Sequence, residues 1–415
     1  MYRFSPKRLA TLPEWERILY ILVAAQLLSA MAFSNIFPFL PLYIKDLGSS
    51  SGLSLELLAG LVYSGQAFSM MIASPIWGSV ADRYGRKLML ERALFGGAVL
   101  LFLMGYVQSA EQLVLLRFIQ GAVTGTIAAA NALIAAIAPR ERTGYAMGLL
   151  QVGSWAGFGV GPLTGGLLAD AFGYRAAFLV TGVMLGLAGL LIVFFVKEKF
   201  TPVERPARQS GALTGGLLRS YGRILRAPGM PLTYAMRFLS SMGGSMITPV
   251  LPIFLLQIMS DPSRVNTLAG VTGGLTYGAS SVAAIFLGRL GDRVGHRRIL
   301  AISALAAGLV YLPQGWVSHT WQLVALQAVA GAASGGLLPS VSALLARYAT
   351  PGEEGSVYGL DNSVGSAART VAPLIGAGLV QVSGIPAAFL AAGLVYLLAA
   401  LLSGRRLLVS PQRGT

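Results

Sequence analysis

The 415-residue chain contains no cysteine, two histidines and only sixteen acidic residues. Without cysteine there is no disulfide, no thiolate metal ligand and no cysteine nucleophile. His296 and His319 fall in segments too far apart in topology to share a metal. No GxxxxGK[ST] loop is present, which excludes a nucleotide-driven pump of that type. The apolar segments also lack a nucleophile paired with a base, so no enzymatic activity, cofactor or metal is expected. Charge is scarce as well: 11% of residues are charged against 55% hydrophobic, with a mean hydropathy of +0.68. That balance does not make a water-soluble surface and points to a polytopic membrane protein.

What is abundant is long apolar sequence. A segment needs about 20 apolar residues to cross a hydrocarbon core of roughly 30 Å. Twelve segments approach that length, at about 18–44, 54–80, 88–108, 111–138, 143–170 and 175–197, then 231–258, 266–290, 298–317, 321–346, 355–381 and 385–404. The apolar runs are continuous and do not alternate, so helices are expected, not barrel strands. The expected fold class is an all-α membrane protein with twelve transmembrane helices.

Of the 31 Lys and Arg residues, 25 fall in segments that twelve passes place on one side. Lys45, Arg175 and Arg264 fall on the other, while Arg117, Arg237 and Arg369 lie inside spans. The positive-inside rule makes the basic side, with both termini, cytoplasmic. An isoelectric point near 10.3 would suggest nucleic acid in a soluble protein. Here topology and attraction to anionic lipid account for it, and no nucleic-acid module is present. The basic N-terminal segment leads into an apolar stretch too long for a signal-peptide core.

The chain is duplicated. GSVADRYGRKLML at 78–90 returns as GRLGDRVGHRRIL at 288–300. Gly60 is matched by Gly270, Gly121 and Gly125 by Gly331 and Gly335, Pro38 and Pro41 by Pro249 and Pro252, and Pro162 by Pro373. An offset held at 210 or 211 implies two parallel six-helix repeats. The halves are expected at 1–197 and 231–415, joined by a basic, proline-containing cytoplasmic linker at 198–230.

At 100° per residue, Arg117, Gln120, Thr124 and Asn131 fall within about 60° on the fourth span. Arg237, Ser240, Ser241, Gly244 and Thr248 form a similar stripe on the seventh, and Asn362, Ser366 and Arg369 on the eleventh. An Arg near the bilayer centre costs about 2.5 to 3.5 kcal/mol, so these stripes need a wet central cavity to face. Gln26 and Asn35 point about 180° apart on a straight first helix, and Asn35 is assigned to the cavity. Asp361 is the acid that falls clearly within a span. It lies about 80° and two turns from Arg369, which disfavours an ion pair between them.

Three motifs resemble the major facilitator superfamily, and within it the drug:proton antiporters with twelve spans. One is the loop motif Gly78, Asp82, Arg83, Gly85, Arg86 and Lys87, with a second copy at Gly288, Asp292, Arg293 and Gly295. Another is LVLLRFIQGAVTG, carrying Arg117, Gln120, Gly121 and Gly125. The last is GFGVGPLTGG, carrying Gly157, Gly161, Pro162, Gly165 and Gly166. The sequence around the first motif is similar to the MdtG-like group of bacterial multidrug efflux carriers.

The resemblance implies a proton-coupled secondary transporter of the bacterial inner membrane, expected as a monomer. Its partners would be a small-molecule substrate, protons and lipid. It implies proton coupling at Arg117, gating by the loop motifs and an antiporter seam in the fifth helix, which Pro162 should bend. Asp361 is the candidate proton carrier, or else a helix-start residue favoured by the dipole. The scarcity of acids beside Arg237 and Arg369 leaves two substrate classes open, amphipathic drugs and neutral or anionic metabolites. The aromatic residues Phe33, Tyr63, Phe68, Phe118, Trp155, Phe158 and Tyr277 are candidate pocket surface.

Overall fold

The computed structural model describes residues 13–139, 142–198, 221–348 and 354–405, and among them there is no β-strand. The first half comprises α1 (Glu14–Asn35), α2 (Leu40–Leu47), α3 (Leu55–Tyr84), α4 (Arg86–Met104), α5 (Ala110–Val123), α6 (Thr126–Ile137) and α7 (Thr143–Phe195). The second comprises α8 (Met230–Ile247), α9 (Val250–Ile258), α10 (Val265–Val294), α11 (His296–Tyr311), α12 (Thr320–Ser334), α13 (Leu337–Tyr348), α14 (Glu354–Ser383) and α15 (Ile385–Arg405).

Helix starts follow local chemistry. Ser54 and Ser109 cap α3 and α5 by accepting from Leu57 N and Gln112 N, each with a glutamate in the first turn. Glu111 also accepts from Ser50 N and Ser51 N at 3.0 and 2.9 Å, tying the α2–α3 connection to α5. Asp261 accepts from the amide and hydroxyl of Ser263, and the amide bond foremost holds its carboxyl below the usual range. Gly85 (φ 101°) and Gly295 (φ 96°) turn the chain between α3 and α4 and between α10 and α11, where a side chain would be strained.

Nine segments among the described residues have the length and apolar character of a membrane span. The expected twelve passes are not reached on those terms, for physical reasons. The 53-residue α7 runs through two expected spans and breaks its helical geometry at Gly173 (φ 80°, ψ 167°). The fourth expected span is divided into α5 and α6 by extended Thr124 and by Gly125 (φ 155°). The third, α4, carries Arg86, Lys87, Glu91 and Arg92 in its first turns. The first and seventh spans are interrupted near Pro38 and Pro249, as missing amide donors dictate. Pro162 lies inside α7, and the non-helical break at Gly173 separates the fifth expected span from the sixth.

Buried apolar side chains form two clusters, one from α1–α7 and one from α8–α15 that also takes Leu42. The halves meet chiefly along two seams, α7 against α10 and α3 against α14, with a smaller contact between α2 and α9. Both depend on glycine. A Cβ added at Gly270 would collide with the Pro162 carbonyl oxygen, and one at Gly60 would lie 3.0 Å from that of Pro373. These pairs are repeat equivalents, so the duplication built one contact twice.

Candidate functional site

The α7–α10 seam is wedge-shaped. Gly166 sits against the Asn266 carbonyl and Gly270 against Pro162. Further along, a Cβ on Gly274 would lie 3.0 Å from Gly159 O, and one on Gly159 would lie 3.9 Å from Gly278 Cα. At Gly148 and Gly278 an added Cβ would meet nothing within 4 Å. The halves are therefore sealed at the end carrying Glu111, Asp170 and Asp261 and part toward the basic end. The sealed end has a polar lock that the sequence reading missed. Asp170 on α7 accepts from Asn266 Nδ2 at 2.7 Å and from Thr267 N at 2.6 Å, capping α10 of the opposite half. No acid occupies the repeat-equivalent position, which at the offset of 211 relating Pro162 to Pro373 is Gln381.

The glycine motif in α7 divides between two neighbours. Gly157, Gly161 and Gly165, four residues apart, sit against the α1 backbone inside the first half. Pro162 and Gly166 face α10 across the seam. Only part of the motif thus lies between the halves, as helical spacing requires.

Arg117 is fully buried at 0% exposure. Its Nη1 donates to Gln120 Oε1 at 2.7 Å, and its guanidinium lies 6.0 Å from the Tyr63 ring centroid. Nε and Nη2 have no hydrogen-bond partner among the described residues. Thr124 is buried and donates to Gln120 O at 2.8 Å. The break at Thr124 and Gly125 means that a 100° pitch does not carry the stripe through to Asn131, which lies half-buried on α6. The interrupted ladder also frees the Ala122 carbonyl, which accepts from Trp77 Nε1 at 2.6 Å.

Asn35 departs from the sequence expectation. It is fully buried, donates to Thr181 Oγ1 at 2.7 Å and accepts from Thr164 Oγ1 at 3.1 Å. Its amide knits α1 to both parts of α7 and does not line the cavity. Gln26, on the opposite face, is buried too.

In the second half Arg237 and Asp361 form an ion pair, Nε to Oδ1 3.0 Å, with each side chain 14% exposed. The approach is close but not aligned as a hydrogen bond, while Arg237 Nη1 donates to Ser241 Oγ at 3.0 Å. The guanidinium packs flat on Gly365, where a Cβ would come within 2.8 Å of Nη2. Arg369 donates to Ser366 Oγ at 3.0 Å and is near enough to act electrostatically on both members of the pair. Asp361 lies two turns inside α14, so it is not a helix-start residue, and Asn362 beside it is exposed. The angular argument against an Asp361–Arg369 pair agrees with this arrangement. The actual partner is 124 positions away on another helix.

The described contacts of the loop motifs stay within their own halves. Arg86 N and Lys87 N donate to the Glu198 carboxylate at 3.2 and 2.9 Å, capping α4. Lys87 Nζ donates to Val193 O at 3.1 Å, and Arg297 Nε to Ser403 O at 3.0 Å. Lys87 and Arg297 are 210 apart, as are the two carbonyls, so each motif ties its half's last helix in the same way. Asp292 pairs with His296 at 3.0 Å, Gly288 lies beside Pro339, and Arg293 is exposed. Gly78 and the side chains of Asp82 and Arg83 lie outside the described residues.

A cavity of about 260 Å³ lies between the halves near the sealed end. Phe37, Pro38 and Pro162 close it from the first half, and Ser241 and Gly244 of α8 with Thr248 just past its end from the second. Of the expected pocket aromatics only Tyr277 lines it among the described residues, and the Phe158 ring lies 6.3 Å from that ring, tilted by 44°.

The sequence model of the Major Facilitator Superfamily matches residues 22–236 and 233–414. The multidrug resistance protein MdtG of Salmonella typhimurium is 35% identical over 376 residues, 90% of this chain and 91% of that protein. Among solved structures, a bacterial homologue of the human lysosomal transporter Spinster superposes with a TM-score of 0.77 at 15% identity, covering 97% of this chain and 99% of that one. The human organic anion transporter MFSD10 gives 0.68 at 20% identity, covering 94% and 100%. With two repeat-related helical halves, a central cavity and a family match running nearly end to end, the chain belongs to the Major Facilitator Superfamily, a family of membrane transporters and not of enzymes.

Proposed function

We propose that the protein is a proton-coupled exporter of amphipathic compounds in the bacterial inner membrane, working by alternating access, with Asp361 carrying the proton and Arg237 as its charge partner. The observation behind this reading is the Arg237–Asp361 pair, largely buried between helices of the second half. Protonating Asp361 removes the charge that holds Arg237, and deprotonation restores it, so one proton switches the net charge behind the cavity wall by one unit. Arg117 adds a fixed buried charge that favours the ionised form of any carboxylate its field reaches. The similarity to a protein named for multidrug resistance supports the substrate class and direction.

In the orientation expected from the basic residues, both termini are cytoplasmic and the described conformation opens inward. The loop motifs would close the basic end in the opposite state, with Asp82 and Asp292 as latch residues. Transport then alternates between the sealed α7–α10 seam and that latch. One proton moving down a gradient of one pH unit supplies about 1.4 kcal/mol, tenfold accumulation at most for electroneutral one-to-one exchange.

A second reading, a carrier for neutral or anionic metabolites, is favoured by the surplus of Arg237 and Arg369 over Asp361. Flux in proteoliposomes under an imposed pH gradient separates the two. Gradient-driven movement of lipophilic cations and other amphipathic drugs supports the first reading. Movement of only small neutral or anionic metabolites supports the second, and an absence of any response to the gradient sinks proton coupling.

A further inference from the structure

We infer that the central cavity is a subsite for an uncharged aromatic group bearing a hydrogen-bonding head, read by Gln327, Thr276 and the hydroxyls of Tyr277 and Tyr311. This names a substrate class for the proposed transport reading and rests on it. Among the described residues, no lysine, arginine, histidine, aspartate or glutamate lines the cavity. Gln327 stands 210 residues from Arg117, so the duplication put an amide where the first half has a guanidinium. The exchange is embedded in a buried network. Gln327 Nε2 donates to Gln314 Oε1 at 2.8 Å, and Gln314 Nε2 donates to Val310 O at 3.1 Å. That network fixes the amide and leaves Gln327 Oε1 with only a long 3.5 Å bond from Thr276 Oγ1. An acceptor so weakly engaged has capacity for a ligand donor.

Aromatic rings also line the cavity, those of Tyr277, Tyr311 and Tyr396 among them. Tyr311 and Tyr396 stack at 5.4 Å with 18° between planes. The hydroxyls of Tyr277 and Tyr311 make no hydrogen bond among the described residues, whereas Tyr396 reaches Ser240 O at 3.4 Å. Two phenols and an amide oxygen therefore offer both donors and acceptors around a ring-sized space. The volume of about 260 Å³ falls just below the range of about 300–1,000 Å³ usual for whole drug-sized ligands, which suits one ring system of a larger substrate.

Charge selects against ions. Arg237 stands one hydrogen bond behind lining residue Ser241 and is already paired with Asp361. A cationic ligand would enter with no carboxylate on the wall and an arginine behind it. Tyrosine rings attract cations only modestly when these still have to be desolvated. An anion would meet a guanidinium that is occupied.

The test is equilibrium binding of three probes of one shape to the purified full-length protein, without any gradient: 2-naphthamide, 2-naphthoate and 2-naphthylmethyl-trimethylammonium. The expected result is that the amide binds at least about tenfold more tightly than either ion. Tyr311→Phe and Tyr277→Phe, which keep volume, should each weaken the amide about two- to tenfold. Gln327→Glu should raise the cation's affinity relative to the amide. Equal or tighter binding of an ion by the unsubstituted protein overturns the inference. So does an amide affinity unchanged in both phenylalanine variants, or no binding of any probe. Coupling is judged separately, because a protein that binds the amide as expected but does not move it under a pH gradient counts against proton coupling alone.

Discussion

Replacing Asp170 by Asn should loosen the sealed end by an amount the structure bounds. The carboxylate accepts two short bonds from α10, one from an amide in the first turn that has no partner within its own helix. Hydrogen bonds to charged groups contribute about 1.5–3 kcal/mol each, and an anion at a helix N-terminus a further 0.3–1 kcal/mol or so. Asparagine keeps one acceptor and turns an NH₂ toward the other donor. Asp170 is only half-buried, so the lower end of the range applies, about 1.5–2 kcal/mol against the sealed state. That corresponds to roughly 10- to 30-fold more of the state open at that end. The absence of native cysteine makes the assay direct. A single Thr248→Cys places a thiol on the cavity wall, and a membrane-impermeant maleimide applied from the acid-rich side reports how often that side opens. The labelling rate should rise at least about tenfold in the Asp170→Asn background. An unchanged rate in a protein of unchanged thermal stability would refute the lock.

The glycine seams make a graded prediction: Gly270→Ala should impair transport more than Gly60→Ala, because an added methyl collides with Pro162 O in the first and stands 3.0 Å from Pro373 O in the second. Equal flux from the two variants would contradict the packing. Arg297→Ala leaves the buried Ser403 carbonyl without that donor and should lower stability by about 1–3 kcal/mol, read as a fall in melting temperature. Glu198→Gln removes the charge capping α4 and should cost about 0.5–1 kcal/mol, a smaller shift than Arg297→Ala.

Much of the architecture was legible because duplication leaves a numerical trace. The offset of 210 or 211 pairs Gly60 with Gly270 and Pro162 with Pro373, and these residues turn out to make one close contact in each seam between the halves. The same offset pairs Lys87 with Arg297 and the carbonyls they hold. Continuous apolar runs conceal interruptions, however. Thr124 and Gly125 break a helix that hydropathy reads as whole, because one turn of irregular backbone barely alters a 20-residue average. The helical wheel correctly separated Asp361 from Arg369 yet had no means of finding Arg237, since pairing between helices depends on packing and not on pitch. It also misplaced Asn35, whose polarity suggested water but is satisfied by two buried threonines. The Asp170 lock looked like one of several acids at loop ends, and nothing local in sequence distinguishes a carboxylate that caps the other half's helix.

The most direct test of the account compares two modes of transport in the Asp361→Asn variant reconstituted in proteoliposomes. If Asp361 carries the coupling proton, accumulation driven by an imposed pH gradient should vanish while gradient-free exchange of labelled for unlabelled substrate persists. Accumulation that survives with unchanged pH dependence would contradict the assignment and move the proton to another group.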